Sequence, residues 1–191
     1  MMTVKKRFSL GIGLLTLFLL NIFYNGLRAM TVKEETITGD GGAHTIYTYY
    51  DKNQAFRLVP PPGWEVNTNP GRGLNLLFSA PGGSKAKISL ASRAVDFSRI
   101  TKEKREELQE SLGKRWTDYR IVSETECIVD GEKGYALRGR FNERGYKFKA
   151  ESIFFIRNSK LYEIVYTAPS DIYDKYLPVL KICRITFQSL R

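Results

Sequence analysis

A chain of 191 residues with 42% hydrophobic and 26% charged side chains is long enough for one ordinary core, too short for two comfortable domains, and too apolar for extended disorder. Its 30 Lys and Arg outnumber 20 Asp and Glu, for a formal net charge of +10, and its 11 Tyr and 11 Phe favour sheet over helical bundle.

The N-terminal stretch stands apart from the folding problem. Lys5, Lys6 and Arg7 precede the uncharged run FSLGIGLLTLFLLNIFYNGL, which is closed by Arg28, Ala29 and Met30. A basic start followed by an apolar run is the pattern of an export signal, and this run is also near the length of a membrane-spanning helix. Positive residues stay inside, so the chain that follows is delivered across the membrane. Cleavage after Ala29 would place Leu27 where signal peptidase wants a small residue, so a removed signal and a retained anchor both stay open. No cysteine near its end could carry a lipid. Residues 1–29 are therefore read as signal peptide or N-terminal membrane anchor, 30–43 as a flexible Gly-rich linker, and 44–191 as the folded domain. The expected address is the periplasm or the outer face of the cytoplasmic membrane. Four basic residues and no acid lie in the leading segment, which leaves 26 Lys and Arg against 20 acids, a net +6, on the exported part. In that compartment nucleic acid is not an expected partner, and the charge points to a membrane protein complex or an anionic membrane surface.

HTIYTYY (residues 44–50) and QAFRLVP (54–60) alternate aromatic and β-branched residues around the turn-prone DKN, and read as a first hairpin. Pro60, Pro61 and Pro62 then offer no amide to a ladder, so they end a strand or mark an edge. With Gly63 they form a rigid turn, after which Trp64 either returns its ring to the core or offers it to a ligand. LNLLFSA and AKISLASRAV flank PGGSK as a second hairpin. Between residues 100 and 116 the period changes: Ile100, Leu108, Leu112 and Trp116 make one narrow apolar stripe, the remainder is charged, and Glu110 precedes Lys114 by four. That is a surface helix laid on a sheet. Four strands follow, YRIVSETECIV, GYALRGRF, YKFKAESIFFI and KLYEIVYTA, joined by DGEK, NERG and RNS turns. The C-terminal stretch predicts a helix capped by Ser170 or Asp171, with a loose first turn and a fresh start at Pro178. Cys127 and Cys183 form either a disulfide, as an oxidising compartment permits, or two small buried thiols. The element order is that of an α+β protein, one antiparallel sheet flanked by helices.

The succession FRLVPPPGW (56–64), VDGEKGYALRGRF (129–141), SKLYEIVYTAP (159–169) and YLPVLKICRITF (176–187) resembles the PsbP-like family, whose namesake is an extrinsic subunit of photosystem II and which is similar to bacterial DcrB-type envelope proteins. The resemblance runs from about residue 43 to the C-terminus. It implies an α/β/α sandwich around an antiparallel sheet and a part in assembling or stabilising membrane complexes, without catalysis.

The residues themselves carry no catalytic constellation. His44 is the one histidine, which excludes a two-histidine metal site and leaves any nucleophile a single candidate base. With Asp40 and Asp51 nearby it is a weak candidate for a loose divalent-cation site, while a solvated histidine is the plainer reading. No enzyme activity and no cofactor are expected. One pattern does suggest binding. With NERG as a four-residue loop, Arg140 faces Lys147 and Arg138 faces Lys149, all on one sheet face with Glu151 beside them. Directly opposed like charges are unfavourable, so such a ladder either meets an anionic partner or splays into solvent. The expected function is a non-enzymatic extracytoplasmic accessory, assembly or stabilising protein of a membrane complex, docking through this basic surface. The alternative is a small-molecule or metal-ion binding envelope protein using His44 or Trp64. A reporter fused after Arg191 should be active only outside the cytoplasm, and activity confined to the cytoplasm would overturn the expected address.

Overall fold

Alternating apolar residues decide where the strands run, and the turns between them decide how they pair. The computed structural model describes residues 31–39, 42–50, 55–71 and 73–190. The first strands are β1 (Thr31–Gly39), β2 (Gly42–Tyr50), β3 (Ala55–Leu58), β4 (Glu65–Asn67), β5 (Leu76–Ser79) and β6 (Lys87–Ala94). Helix α1 (Lys102–Arg115) leads into β7 (Thr117–Val129), β8 (Glu132–Glu143), β9 (Tyr146–Arg157) and β10 (Lys160–Pro169), then α2 (Tyr173–Thr186) and β11 (Gln188–Ser189). The expected export segment lies outside the described residues.

The protein is α+β, but it holds two sheets where the sequence predicts one. A four-stranded sheet runs β1-β2-β3-β11 and a seven-stranded sheet runs β4-β5-β6-β10-β9-β8-β7, both antiparallel. The three prolines explain the division. Without amides at Pro60 to Pro62 the ladder between β2 and β3 cannot continue. The Pro61 carbonyl instead accepts the Trp64 amide at 3.2 Å, with Gly63 at φ +72°, and this turn carries the chain out of the small sheet and into the large one. The stretch expected as a linker is also ordered differently. Thr31–Gly39 is β1, paired with β2 from Thr31↔Tyr50 to Gly39↔Gly42. Its side chains from 31 to 36 are not buried, so along that stretch backbone hydrogen bonds rather than an apolar face hold it.

Successive side chains of the long strands point to opposite faces of the large sheet. On one face Tyr135, Leu137, Phe154, Ile156 and Leu161 receive Leu108 and Leu112 of α1. The Thr101 hydroxyl caps this helix by accepting the Lys104 amide, and Glu110 pairs with Lys114 at 2.6 Å as the spacing predicts. On the other face Ala136, Ile153, Phe155, Ile164 and Tyr166 meet Leu180 and Cys183 of α2 together with Tyr49, Phe56 and Phe187 around the small sheet. Both faces are covered, one by α1 and the other by α2 and the second sheet.

Helix α2 begins at Tyr173 and runs through Pro178, and its cap position is Ile172, with no side-chain capping bond, rather than Ser170 or Asp171. Tertiary packing holds the turn that proline would loosen: Tyr166 donates its hydroxyl to the Tyr173 carbonyl at 2.7 Å, and the two rings pack with centroids 4.8 Å apart. Cys127 and Cys183 are free thiols. Cys183 lies in the core with its sulfur 3.7 Å from the Val59 carbonyl, and burial pushes its thiol pKa up to about 12.

Leu112 is fully buried, so Leu112→Ala should lower stability by about 2–4 kcal/mol in denaturant titration, and an unchanged midpoint would mean that α1 does not pack there.

Candidate functional site

The basic ladder is positioned by a two-residue turn. Arg144 and Gly145 adopt φ +49° and +80°, the geometry of a tight hairpin, so β8 and β9 pair out to Glu143↔Tyr146. The four-residue loop read from NERG is therefore corrected by two positions. Arg140 faces Lys149, Arg138 faces Glu151, and Lys147 faces Asn142. Because side chains alternate with a period of two, the shift changes the partners and keeps the four basic residues on one face.

That register separates their roles. Arg138 donates from Nε to Glu151 at 2.7 Å, and this bond holds its guanidinium more firmly protonated than usual. Glu151 is only 4% exposed, so Arg138 is the charge partner of a buried carboxylate. Close by, the Tyr173 phenol is pushed up, first by burial and then by the charge of Glu151. Lys149 reaches Asp174 of α2 at 3.2 Å. Arg140 has no such relief. It is flanked on β9 by Lys149 and on β7 by Arg120, a residue the sequence reading left out, so three cations lie side by side across three strands. Among the described residues no acid comes within 4.0 Å of Arg120, Arg140 or Lys147. A bulge in β7 between Thr117 and Arg120 brings Arg120 into this row, and no local sequence signal announces it. Gly139 keeps β7 and β8 close: a Cβ there would meet the Tyr119 ring at 2.2 Å on the opposite face.

The other candidates sit elsewhere. Trp64 is buried, with its ring edge-on to Tyr176 of α2 at 5.5 Å, so it packs α2 and presents no open stacking surface. His44 occupies β2 opposite Ile37, and its side chain, like Asp40 and Asp51, lies outside the described residues.

No family model matches the chain, and no curated protein matches it in sequence. Solved structures do share its architecture. LpqN of Mycobacterium tuberculosis, a protein involved in cell envelope biogenesis, superposes with a TM-score of 0.56 at 10% identity over 83% of this chain and 91% of its own. The Ran-binding protein Mog1p of Saccharomyces cerevisiae gives a TM-score of 0.48 at 12% identity over 83% of this chain and 96% of its own. Cyanobacterial PsbP (CyanoP) of Synechocystis gives a TM-score of 0.55 at 13% identity over 78% of this chain and 95% of its own. The fold is PsbP-like. In this fold the cation row lies on the α2 face of the large sheet, starting at Lys149, which Asp174 of α2 reaches, and running through Arg140 to Arg120 where the β8–β9 hairpin continues into solvent.

Arg138→Gln should destabilise the domain by about 1–3 kcal/mol, because it leaves a buried carboxylate without its charged donor. Arg140→Gln should be neutral or slightly stabilising. Equal losses for the two would contradict this division of roles.

Proposed function

We propose that this protein is a non-enzymatic extracytoplasmic accessory subunit that docks its basic sheet face against an acidic surface of a membrane protein complex. The observation that carries the reading is the directly opposed pair Arg120 and Arg140, with Lys147 on the same face and Lys149, which Asp174 meets, at its inner end. Like charges set directly opposite one another on a sheet cost about 0.2–1 kcal/mol a pair, and an acidic partner would turn that cost into attraction. Arginine suits such a surface because its planar fork meets carboxylates in a bidentate way. The predicted export segment and the basic balance of the chain support the same address. LpqN, described as acting in cell envelope biogenesis, and CyanoP lend support through a shared fold.

Stability and association separate this reading from a merely solvated face. In the double variant Arg120→Gln/Arg140→Gln the cross-strand repulsion is relieved, so the melting temperature should hold or rise slightly. Capture of the membrane partner by crosslinking in intact cells should nevertheless fall. In the parent, association should weaken with added salt, since exposed charges are screened over about 8 Å at physiological ionic strength. Partner capture by the double variant at the parent's level and salt tolerance would place docking elsewhere.

A further inference from the structure

On the opposite, α1 face of the same sheet end lies a second basic feature that does not depend on the docking row. The turn between β5 and β6 and the tip of the β8–β9 hairpin are far apart in sequence, but the strand order brings them together around a cavity of about 210 Å³. Phe148 and Thr167 line it from the sheet, and Lys85, Lys87 and Arg144 bring three cations to it. Tyr146 forms one wall, 53% exposed, with the Lys85 ammonium 3.3 Å from its ring centroid. Glu143 is the one acid in the lining, and among the described residues no carboxylate lies within 4.0 Å of any of the three cations.

Two of those cations also stand at backbone positions that disfavour them. Lys85 and Arg144 hold φ +59° and +49°, in the left-handed region where Gly, Asn and Asp are at home. Arg144 occupies the first central position of its tight hairpin turn, where Asn or Gly would relieve the strain. Placing long basic side chains at two such positions costs stability, and both project to the same cavity. Of the six non-glycine residues at positive φ among the described residues, the other four are Asp, Asn or Ser, and the two long basic ones meet at this cavity, which makes it a pointer to function.

We infer that this cavity is a binding site for a phosphate group. Its volume is below the about 300–1,000 Å³ of pockets that enclose drug-sized ligands, so the ligand is small or is the head of something larger left outside. Three cations from three chain positions outnumber the oxygens of a single carboxylate, whereas a tetrahedral phosphate has oxygens enough for all of them. The exposed Tyr146 beside basic loop tips is also suited to a lipid headgroup layer, so the phosphate is either free in solution or carried by an anionic lipid.

The test uses the full chain with inorganic phosphate, with chloride at matched ionic strength, and with phosphatidylcholine vesicles with and without phosphatidylglycerol. Phosphate, unlike chloride, should raise the parent's melting temperature. Arg144→Asn and Lys85→Asn should each melt higher than the parent without ligand, because Asn tolerates the left-handed conformation, yet weaken the apparent phosphate affinity by about tenfold. A purely structural role for these side chains cannot produce that opposition. Arg120→Gln/Arg140→Gln should respond to phosphate as the parent does, so the docking row and the cavity can fail independently. If sedimentation with phosphatidylglycerol vesicles is lost in Arg144→Asn, the phosphate is a lipid headgroup. If vesicle binding is unchanged while the phosphate shift is lost, the ligand is a soluble phosphate. The site is overturned if neither the phosphate shift nor vesicle binding depends on Lys85 and Arg144.

Discussion

Three tight turns decide where nearly every side chain of the large sheet ends up. Asp130–Gly131, Arg144–Gly145 and Asn158–Ser159 each place two consecutive residues at positive φ, the geometry whose twist matches that of the strands it joins. They lock β7, β8, β9 and β10 into one meander. A slip of one residue at Arg144–Gly145 would turn one strand over against the other, so that either Leu137 of β8 or Phe154 of β9 would leave the α1 face for the wrong layer. The two cores exist because that slip is forbidden.

Coverage by helices then defines what is left over. Helix α1 seals its face from Ile156 to Leu137, and beyond it Trp116, Tyr119, Phe141 and Phe148 close the end as an aromatic stack, with Trp116 and Phe141 centred 4.7 Å apart. Helix α2 and the small sheet seal the other face only as far as Glu151 and Ala168. The hairpin continues past this limit, so positions that would have been core in a shorter, fully covered sheet are free to be charged. Arg138 and Lys149 stand at the boundary and are neutralised by Glu151 and Asp174, whereas Arg140, Arg120 and Lys147 lie beyond it.

Much of this is written locally and was legible there. The Leu108 and Leu112 stripe, the four strands β7 to β10 set between turn-prone residues and the amide-free break at Pro60 to Pro62 each depend on neighbours a few residues away. What escaped depends on distant partners. β1 is polar and held by its ladder, so no apolar period marks it. The division into two sheets depends on where the chain goes after the prolines and on β11 returning to β3, which no local pattern encodes. The α2 turn around Pro178 survives because Tyr166 grips it from another element. At the site, the common face of the four cations was legible because a two-residue error in register leaves faces unchanged. Their partners were not, because Arg-Gly is an unusual tight turn where Asn-Gly would have been plain. Arg120 and the Lys85 turn arrive through a bulge and through strand order, and both are tertiary facts.

The manner of association open to this edge follows from β7 itself. It is an edge strand of 13 residues carrying exposed Val122 and Ile128, which in a flat strand would invite another chain to pair along it. Two irregularities interrupt its register, between Thr117 and Arg120 and between Ile121 and Ser123, within the part that borders the basic face. Bulges twist an edge away and break the even row of amides and carbonyls that a partner strand would need. Arg120, Glu124 and Glu126 further place charges along the strand. Strand addition is thus disfavoured at the place where the cations gather, and the contact this surface can make is one of side-chain charge against charge: fast to form, sensitive to salt, and selective for the sign of its partner.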